Sequence, residues 1–186
     1  MIGNAETAGA GHFGGRVYDV CVVGSGPAGI TLARRLAEAG LSVGLFEGGG
    51  AEYEDRSQEC YAGETHGFPY YPLDSCRLRY FGGSSNHWGG WTKALDEHDF
   101  LPRAHHPLSG WPIGKTDLDP YAAEADAILD LPQAIAPPDI LPGQRELLAG
   151  LFRFSRPVTR FGEKYRQELE RSPRIQAFTN ANLVDL

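Results

Sequence analysis

The most regular pattern of hydrophobic and polar positions lies in residues 17–47. A short apolar run, VYDVCVV at 17–23, is typical of a parallel strand that is covered on both faces. Helical spacing follows in PAGITLARRLAEAG, with Ile30 and Ala33 on its apolar stripe. A second apolar run, LSVGLF at 41–46, ends directly before Glu47. The order strand, helix, strand predicts a βαβ unit in an α/β fold.

The two ends of the predicted helix carry recognisable boundary residues. Pro27 suits the first helical position, because its fixed φ is already helical and its missing N–H is not needed there. Gly40 suits the position just past the last turn, where a left-handed residue commonly ends a helix. We therefore predict a helix that begins at Pro27 and ends before Gly40.

The rest of the chain is less periodic. Residues 48–114 are rich in aromatic residues, proline and glycine, which predicts functional loops or a cover over a cofactor. Asp119 is then predicted to cap a helix with Pro120 in its first turn, and further helices are predicted around 143–152 and 161–171. The final RIQAFTNANLVDL predicts a strand, a turn and the beginning of another strand.

Composition narrows the classes of protein. A chain of 186 residues with 41% hydrophobic and 22% charged residues fits one globular domain. The net charge of −7 gives no basic surface for nucleic acid. The start shows no secretion signal and no apolar run approaches the ~18 residues of a membrane span, so we predict a cytoplasmic location. Among three cysteines without a CxxC pair, Cys21 is predicted to be a buried free thiol.

Two segments match the pattern G-x-G-x-x-G, and their surroundings differ. GAGHFG at 9–14 follows no predicted strand and opens no predicted helix, so we interpret residues 1–16 as a flexible tail. GSGPAG at 24–29 directly follows the first predicted strand and opens the predicted helix. That context predicts a Rossmann-like dinucleotide-binding turn. Its candidate binding residues are Gly24, Ser25, Gly26, Pro27, Ala28 and Gly29.

Each feature of this turn has a physical role. Gly24 permits the tight turn, Gly26 lets the backbone approach a pyrophosphate, and Gly29 allows close packing of helix on strand. Backbone N–H groups and the helix dipole favour an anion at the helix start. Glu47, 21 residues beyond Gly26, is placed to hold ribose hydroxyls and would repel the 2′-phosphate of NADP. These features do not separate FAD from NAD.

A second glycine-rich segment, FGGSSNHWGG at 81–90, places His87 beside Trp88 between two glycine pairs. Two other clusters of polar residues are interpreted as solvated loops and not as metal sites. One is His105–His106, and the other is DEHD at 96–99, whose adjacent residues rarely converge on one ion.

With both glycine segments in view, the chain resembles the glucose–methanol–choline (GMC) family of flavin oxidoreductases, and most closely its pyranose oxidase-like branch. The resemblance runs from about residue 17 to the end. It is carried by the first glycine motif, RLRYFGGSSNHWGGW, SGWPIGKTDLDPY and FTNANLVDL. The resemblance implies FAD as cofactor. By position, it implies that Gly82, Gly83, Ser84 and Ser85 lie close to the FAD and that Gly89 and Gly90 lie near the reactive face of the flavin. It also places Leu183 at adenine.

The resemblance also accounts for the pair of aromatic residues. In pyranose oxidase-like relatives a histidine in the S-x-H-W setting is bonded covalently to the flavin, and Ser85, Asn86, His87 and Trp88 reproduce that order. We therefore expect His87 at the dimethylbenzene edge of the flavin, with Trp88 as an apolar wall.

The implied activity is oxidation of a CH–OH group of a sugar or another alcohol, with hydride passing to the flavin. Family members are longer, and their substrate domain and catalytic histidine lie in a C-terminal part that nothing here matches. We expect residues 17–186 to be a partial FAD-binding domain, inactive alone, completed by a C-terminal half or a partner subunit. A non-catalytic FAD-binding subunit and a fragment of an NAD-dependent dehydrogenase are the alternatives.

Overall fold

The computed structural model describes residues 2–9, 11–13, 15–138, 143, 147 and 149–185. The chain divides into two compact units. The first comprises Met1–Trp88 and Arg160–Leu186, and the second is Gly89–Thr159. The predicted loop-rich segment 48–114 is thus divided between the two units.

The regular elements are short, apart from one helix. The strands are β1 (Ile2–Asn4), β2 (Val20–Val23), β3 (Val43–Phe46) and β4 (Ile175–Thr179). The α-helices are α1 (Ala5–Ala8), α2 (Pro27–Glu38), α3 (Asp55–Gln58), α4 (Lys115–Leu118), α5 (Ala122–Ile128), α6 (Phe161–Lys164) and α7 (Arg166–Arg171). Within the described residues, 3-10 turns lie at Glu59–Tyr61, Gly83–Asn86, Glu97–Phe100 and Asp119–Tyr121.

The first unit is built on a parallel sheet in the order β1-β4-β3-β2. Its register aligns Val22 with Leu45, and Leu45 with Ala177. These three side chains are buried on one face, beneath the buried Ile30 and Ala33 of α2. The parallel sheet confirms the α/β, Rossmann-like fold that the strand–helix–strand pattern predicted.

The boundaries of α2 agree with the sequence prediction. Pro27 occupies its first turn, and Gly40 adopts a φ of 94° just past the C-cap. The N–H of Gly40 donates to the carbonyl of Ala37 and the N–H of Leu41 to that of Leu36. This pair of bonds is the Schellman arrangement, which closes the helix at the predicted place.

Strand β2 departs from the prediction in its burial. Cys21 is exposed and not a buried thiol, and Val23 is 56% exposed. Both lie on the face opposite α2, and β2 is the edge of the described sheet. The prediction that this strand is covered on both faces was wrong. An apolar run in the sequence does not tell whether other parts of the chain cover one face of the sheet or both.

The N-terminal segment, for which a flexible tail was expected, contains strand β1 and helix α1. Strand β1 pairs with β4, joining Ile2 to Ala177 in the parallel register. The side chain of Asn4 then caps α1 by accepting from the N–H of Glu6 at 2.9 Å. The first G-x-G-x-x-G match follows α1, and Ala10 and Gly14 within it lie outside the described residues.

The second unit is held by a few polar contacts. Thr92 and Arg153 exchange backbone hydrogen bonds of 2.8 Å, and the Arg153 guanidinium meets both carboxylate oxygens of Asp126 at 2.7 Å. These bonds to Asp126 raise the pKa of Arg153. Bidentate pairing of this kind fixes the orientation of both side chains.

The helices of the later chain differ from prediction in their bounds. Asp119 is not an N-cap, because helical turns already begin at Lys115, where the Asp117 carboxylate accepts from the N–H of Gly114 at 2.8 Å. The helix expected at 161–171 is present as α6 and α7. Of the helix expected around 143–152, residues 149–152 are not helical, and much of the remainder lies outside the described residues.

Candidate cofactor-binding site

A cleft of about 560 Å³ opens in the first unit, where β2, β3 and β4 end. In open parallel sheets, ligands bind outside the carboxyl ends of the strands. Backbone hydrogen bonds hold these ends together: Gly24 N–H donates to Phe46 O at 2.7 Å, and Glu47 N–H donates to Phe178 O at 2.8 Å. The cleft is lined on this side by residues of the first glycine loop and of the end of β3: Gly24, Gly26, Pro27, Glu47 and Gly48.

The glycines of the first loop have different surroundings. Gly24 adopts a φ of 95°, and a side chain at Gly29 would overlap the carbonyl oxygen of Gly24. A Cβ at Gly26 would meet no atom within 4 Å. The loop is therefore closed by packing at Gly29 and open at Gly26, where a phosphate can approach the start of α2.

The start of α2 is suited to an anion. No side chain caps this helix, and the first N–H groups of an α-helix have no acceptor within the helix. Since α2 has 12 residues, its dipole adds a positive field at that end. The residues present fit the pyrophosphate of a dinucleotide.

Glu47 is buried at the end of β3 and accepts three hydrogen bonds. Its Oε2 accepts from the N–H of Ser25 at 2.9 Å and from the Ser25 hydroxyl at 2.7 Å. Its Oε1 accepts from the N–H of Gly49 at 2.9 Å. A carboxylate offers about four lone-pair positions, so one position remains for a ligand hydroxyl.

Ser25 joins the two glycine loops. Its side chain is fully buried, and its Oγ accepts from the N–H of Gly82 at 3.2 Å while donating to Glu47. The sequence prediction placed Ser25 among the cofactor-binding residues. In the structure its side chain is turned away from the cleft and bonded within the protein.

The second glycine loop packs directly against the first. A Cβ at Gly83 would lie 3.1 Å from the Cα of Gly26. Ser84 lines the cleft, and its Oγ accepts from the N–H of Leu78 at 3.1 Å. Ser85 instead is buried, donates to Gly82 O at 2.7 Å and accepts from Phe161 N–H at 3.1 Å. Of the two serines, only Ser84 faces the cleft.

His87 and Trp88 lie at the end of the second loop and do not line the cleft. His87 is exposed, and the Trp88 ring meets Phe161 edge-on at a centroid distance of 6.1 Å. Arg160 fixes this turn by donating to the carbonyls of Ser85 at 2.6 Å and Trp88 at 2.8 Å. Gly89 and Gly90 belong to the second unit.

The far side of the cleft contains residues that the sequence motifs did not predict. Leu183, which was proposed, lines the cleft together with Ala181 and Asn182. The additional lining residues are Tyr61, Arg77, Leu78 and Arg79. The two arginines directly precede the second glycine loop in sequence, and this position could have predicted that they lie near the cleft.

Two other features of the described residues do not form a comparable site. A groove of about 670 Å³ lies between α2 and α7, but it is lined largely by charged side chains such as Arg34, Glu38 and Arg174. In the second unit, Asp96, His98 and Asp99 lie together. Asp96 and Asp99 form a capping box, and a hydrogen bond from Lys93 lowers the pKa of Asp96, so the turn is explained without an ion.

Comparison with known proteins agrees with the geometry of the first loop. Residues 17–58 match a family of FAD-binding domains. The matched segment contains β2, the glycine loop, α2, β3, Glu47 and α3. The first unit therefore carries an FAD-binding, Rossmann-like fold, and FAD is its cofactor. None of the helices in the described residues has the length and apolar character needed to span a membrane.

Two curated relatives are similar over part of their length. The chain is 31% identical over 141 residues to 2-methyl-1,2-propanediol dehydrogenase of Mycolicibacterium austroafricanum, covering 64% of this chain and 26% of that protein. It is 32% identical over 121 residues to 6'''-hydroxyparomomycin C oxidase of Streptomyces lividus, covering 57% of this chain and 22% of that protein. The chain thus spans about a quarter of the length of these relatives.

Proposed function

We propose that this chain is the FAD-binding portion of an oxidoreductase that oxidises a CH–OH group of a sugar or another alcohol. The observation that carries the proposal is the contact of two glycine loops, joined through Ser25 to Glu47, beside a cleft at the strand ends. The relatives support the reaction class, since one is named a dehydrogenase of a diol and the other an oxidase. The GMC family and its pyranose oxidase-like branch remain our proposed affiliation.

Within this proposal each part of the cleft has a role. The open face of Gly26 and the start of α2 would hold the pyrophosphate. The remaining acceptor position of Glu47 would take a ribose hydroxyl, and Leu183 would lie at adenine. The match to FAD-binding domains favours FAD over the NAD alternative.

The bound flavin would supply the hydride-accepting chemistry, and the protein residues would supply binding and orientation. We assign no catalytic residue to this chain. Because it spans about a quarter of its relatives, we propose that substrate binding depends on a further part of the protein or on a partner subunit.

The first experiment measures the cofactor and the activity together. We expect the purified chain to take up FAD with the absorbance of a bound flavin, and to compete for it with ADP but not with riboflavin. Binding of NAD without FAD would contradict the proposal. We expect no alcohol oxidation with an artificial electron acceptor from the chain alone. Robust turnover would show that no further part is needed.

A second experiment tests the proposal that His87 bonds to the flavin. In that bond an imidazole nitrogen would replace one hydrogen of a methyl group on the dimethylbenzene ring. The proton would pass to solvent, the two electrons would reduce the flavin, and dissolved oxygen would reoxidise it, so the incubation is done in air. An imidazole nitrogen can act as the nucleophile, and the exposed position of His87 at the end of the second loop leaves it accessible. After incubation with FAD and acid precipitation, we expect part of the flavin to remain in the pellet of the starting chain and none in that of His87→Ala. Flavin that stays wholly in the supernatant for both proteins would rule out the bond.

A further inference from the structure

Arg79 connects three segments at the end of the cleft beside Glu47. Its Nη1 donates to the carbonyl of Gly48 at 2.9 Å and to the hydroxyl of Ser57 at 2.7 Å. Its Nη2 donates to the side-chain oxygen of Asn182. Gly48 follows β3, Ser57 lies in α3 and Asn182 follows β4, so one guanidinium spans segments more than 100 residues apart.

The main chain of Arg79 is held as firmly as its side chain. Its N–H donates to Oε1 of Gln58 at 3.0 Å, and its carbonyl accepts from Ser57 Oγ at 3.2 Å. Gln58 donates in turn to the carbonyls of Asp74 at 2.5 Å and Arg77 at 2.6 Å. Both Ser57 and Gln58 are buried. The short helix α3 therefore serves as the anchor of the segment that precedes the second glycine loop.

This arrangement explains the glycine run after Glu47, to which neither the βαβ motif nor the proposed function assigned a role. A side chain at Gly49 would overlap the carbonyl of Arg79, and one at Gly48 would overlap its guanidinium. Beyond the glycines, Gly49 O accepts from Asn180 N–H and Glu47 O accepts from Ala181 N–H, each at 2.8 Å. The segment that follows β3 and the segment that follows β4 are thus bonded to each other, and Arg79 contacts both.

We propose that Arg79 is a positioning residue, which sets the segments at 47–49 and 180–183 in their binding arrangement before a ligand enters. The identity of the ligand, the adenosine half of FAD, rests on the proposed function. Holding a site in its bound form reduces the ordering cost of binding. Removing hydrogen bonds from a charged donor should weaken FAD and ADP binding equally, by about 10- to 100-fold.

The test compares Arg79→Ala with Arg77→Ala. Arg77 also lines the cleft and carries the same charge, but it is exposed and its guanidinium has no hydrogen-bond partner among the described residues. If charge near the cleft were decisive, both variants would weaken ADP binding alike. We expect Arg79→Ala to lose more ADP affinity than Arg77→Ala does. We also expect guanidinium ion, below denaturing concentration, to restore part of it, and an equal amount of sodium chloride not to.

A second measurement needs no ligand. Amide hydrogen exchange of the segments 47–50 and 178–183 should be faster in ligand-free Arg79→Ala than in the starting chain, and unchanged in Arg77→Ala. Should Arg79→Ala fail to fold, Asn182→Ala removes one contact only and should show a smaller change in the same direction.

Two outcomes would overturn the inference: unchanged FAD and ADP affinity in Arg79→Ala, or unchanged exchange in both segments. If the starting chain binds neither FAD nor ADP, the proposed function is contradicted, and the exchange measurement still decides the role of Arg79.

Discussion

The two glycine-rich loops of the first unit resemble each other in composition and differ in construction. The first turns into α2, a helix of 12 residues, and its buried Ser25 bonds to a carboxylate. The second forms a 3-10 turn of four residues, and its buried Ser85 bonds only to main-chain groups. A long helix stabilises an anion at its start through its dipole, whereas a single 3-10 turn has only a small dipole. We therefore propose that the first loop contributes most of the binding of the cofactor, and that the second loop mainly supports the first by packing against it.

The largest expected effect separates two glycines of the first loop. A side chain at Gly29 would overlap main chain at Gly24, so Gly29→Val should lower the free energy of unfolding by roughly 4 kcal/mol or more. Gly26 has open space around it, and serine is a good N-cap. Gly26→Ser should therefore melt close to the starting chain while binding FAD at least ~10-fold more weakly. Thermal unfolding without ligand and FAD titration measure the two effects.

These variants serve as controls for each other, since both add a side chain to the same loop. Equal loss of stability in the two would mean that the loop glycines serve folding alone. Undiminished FAD binding by Gly26→Ser would mean that the pyrophosphate does not lie against this residue.

The sequence could predict the first loop because its signals are local. A β-branched strand, Pro27 at the helix start and Gly40 after its end all act within one turn of the residues they define. The bounds of α2 followed from them. Glu47 was found in the same way, from its distance along the chain.

Other features depend on contacts that a local pattern does not contain. Ser85 turns inward because Phe161 N–H, 76 residues later, lies beside it. Ser84 and Ser85 are identical in sequence terms, so nothing local tells which one faces the cleft. The exposure of Cys21 likewise depends on which layers cover the sheet, and the pairing of β1 joins residues about 175 positions apart.

An intermediate effect is expected at Glu47, whose carboxylate connects the binding and the folding roles of the first loop. Glu47→Ala would leave three buried donors without their acceptor, two from Ser25 and one from Gly49. We expect a loss of about 2–4 kcal/mol in the free energy of unfolding and a roughly tenfold or greater loss of FAD affinity. Calorimetry of the ligand-free protein and an FAD titration would separate the two.

The matched control is Glu47→Gln, which keeps the size of the side chain and one acceptor oxygen. It should lie between Glu47→Ala and the starting chain in stability, because its amide group must face one of the same donors. If Glu47→Ala bound FAD as tightly as the starting chain, Glu47 would not hold the ribose.

The smallest expected effects compare the two buried serines directly. Ser25→Ala removes a hydrogen bond to a charged group and leaves Gly82 N–H without its acceptor, so we expect a loss of about 2–3 kcal/mol. Ser85→Ala removes only bonds to neutral main-chain groups, and about 1–2 kcal/mol should be lost. Denaturant unfolding measures both losses of stability, provided that the unfolding free energy depends on denaturant concentration with the same slope in all the proteins compared. Because neither side chain faces the cleft, FAD affinity should fall less in either variant than in Gly26→Ser. If Ser85→Ala lost more stability than Ser25→Ala, the second loop, and not the first, would contribute more to holding the two loops together.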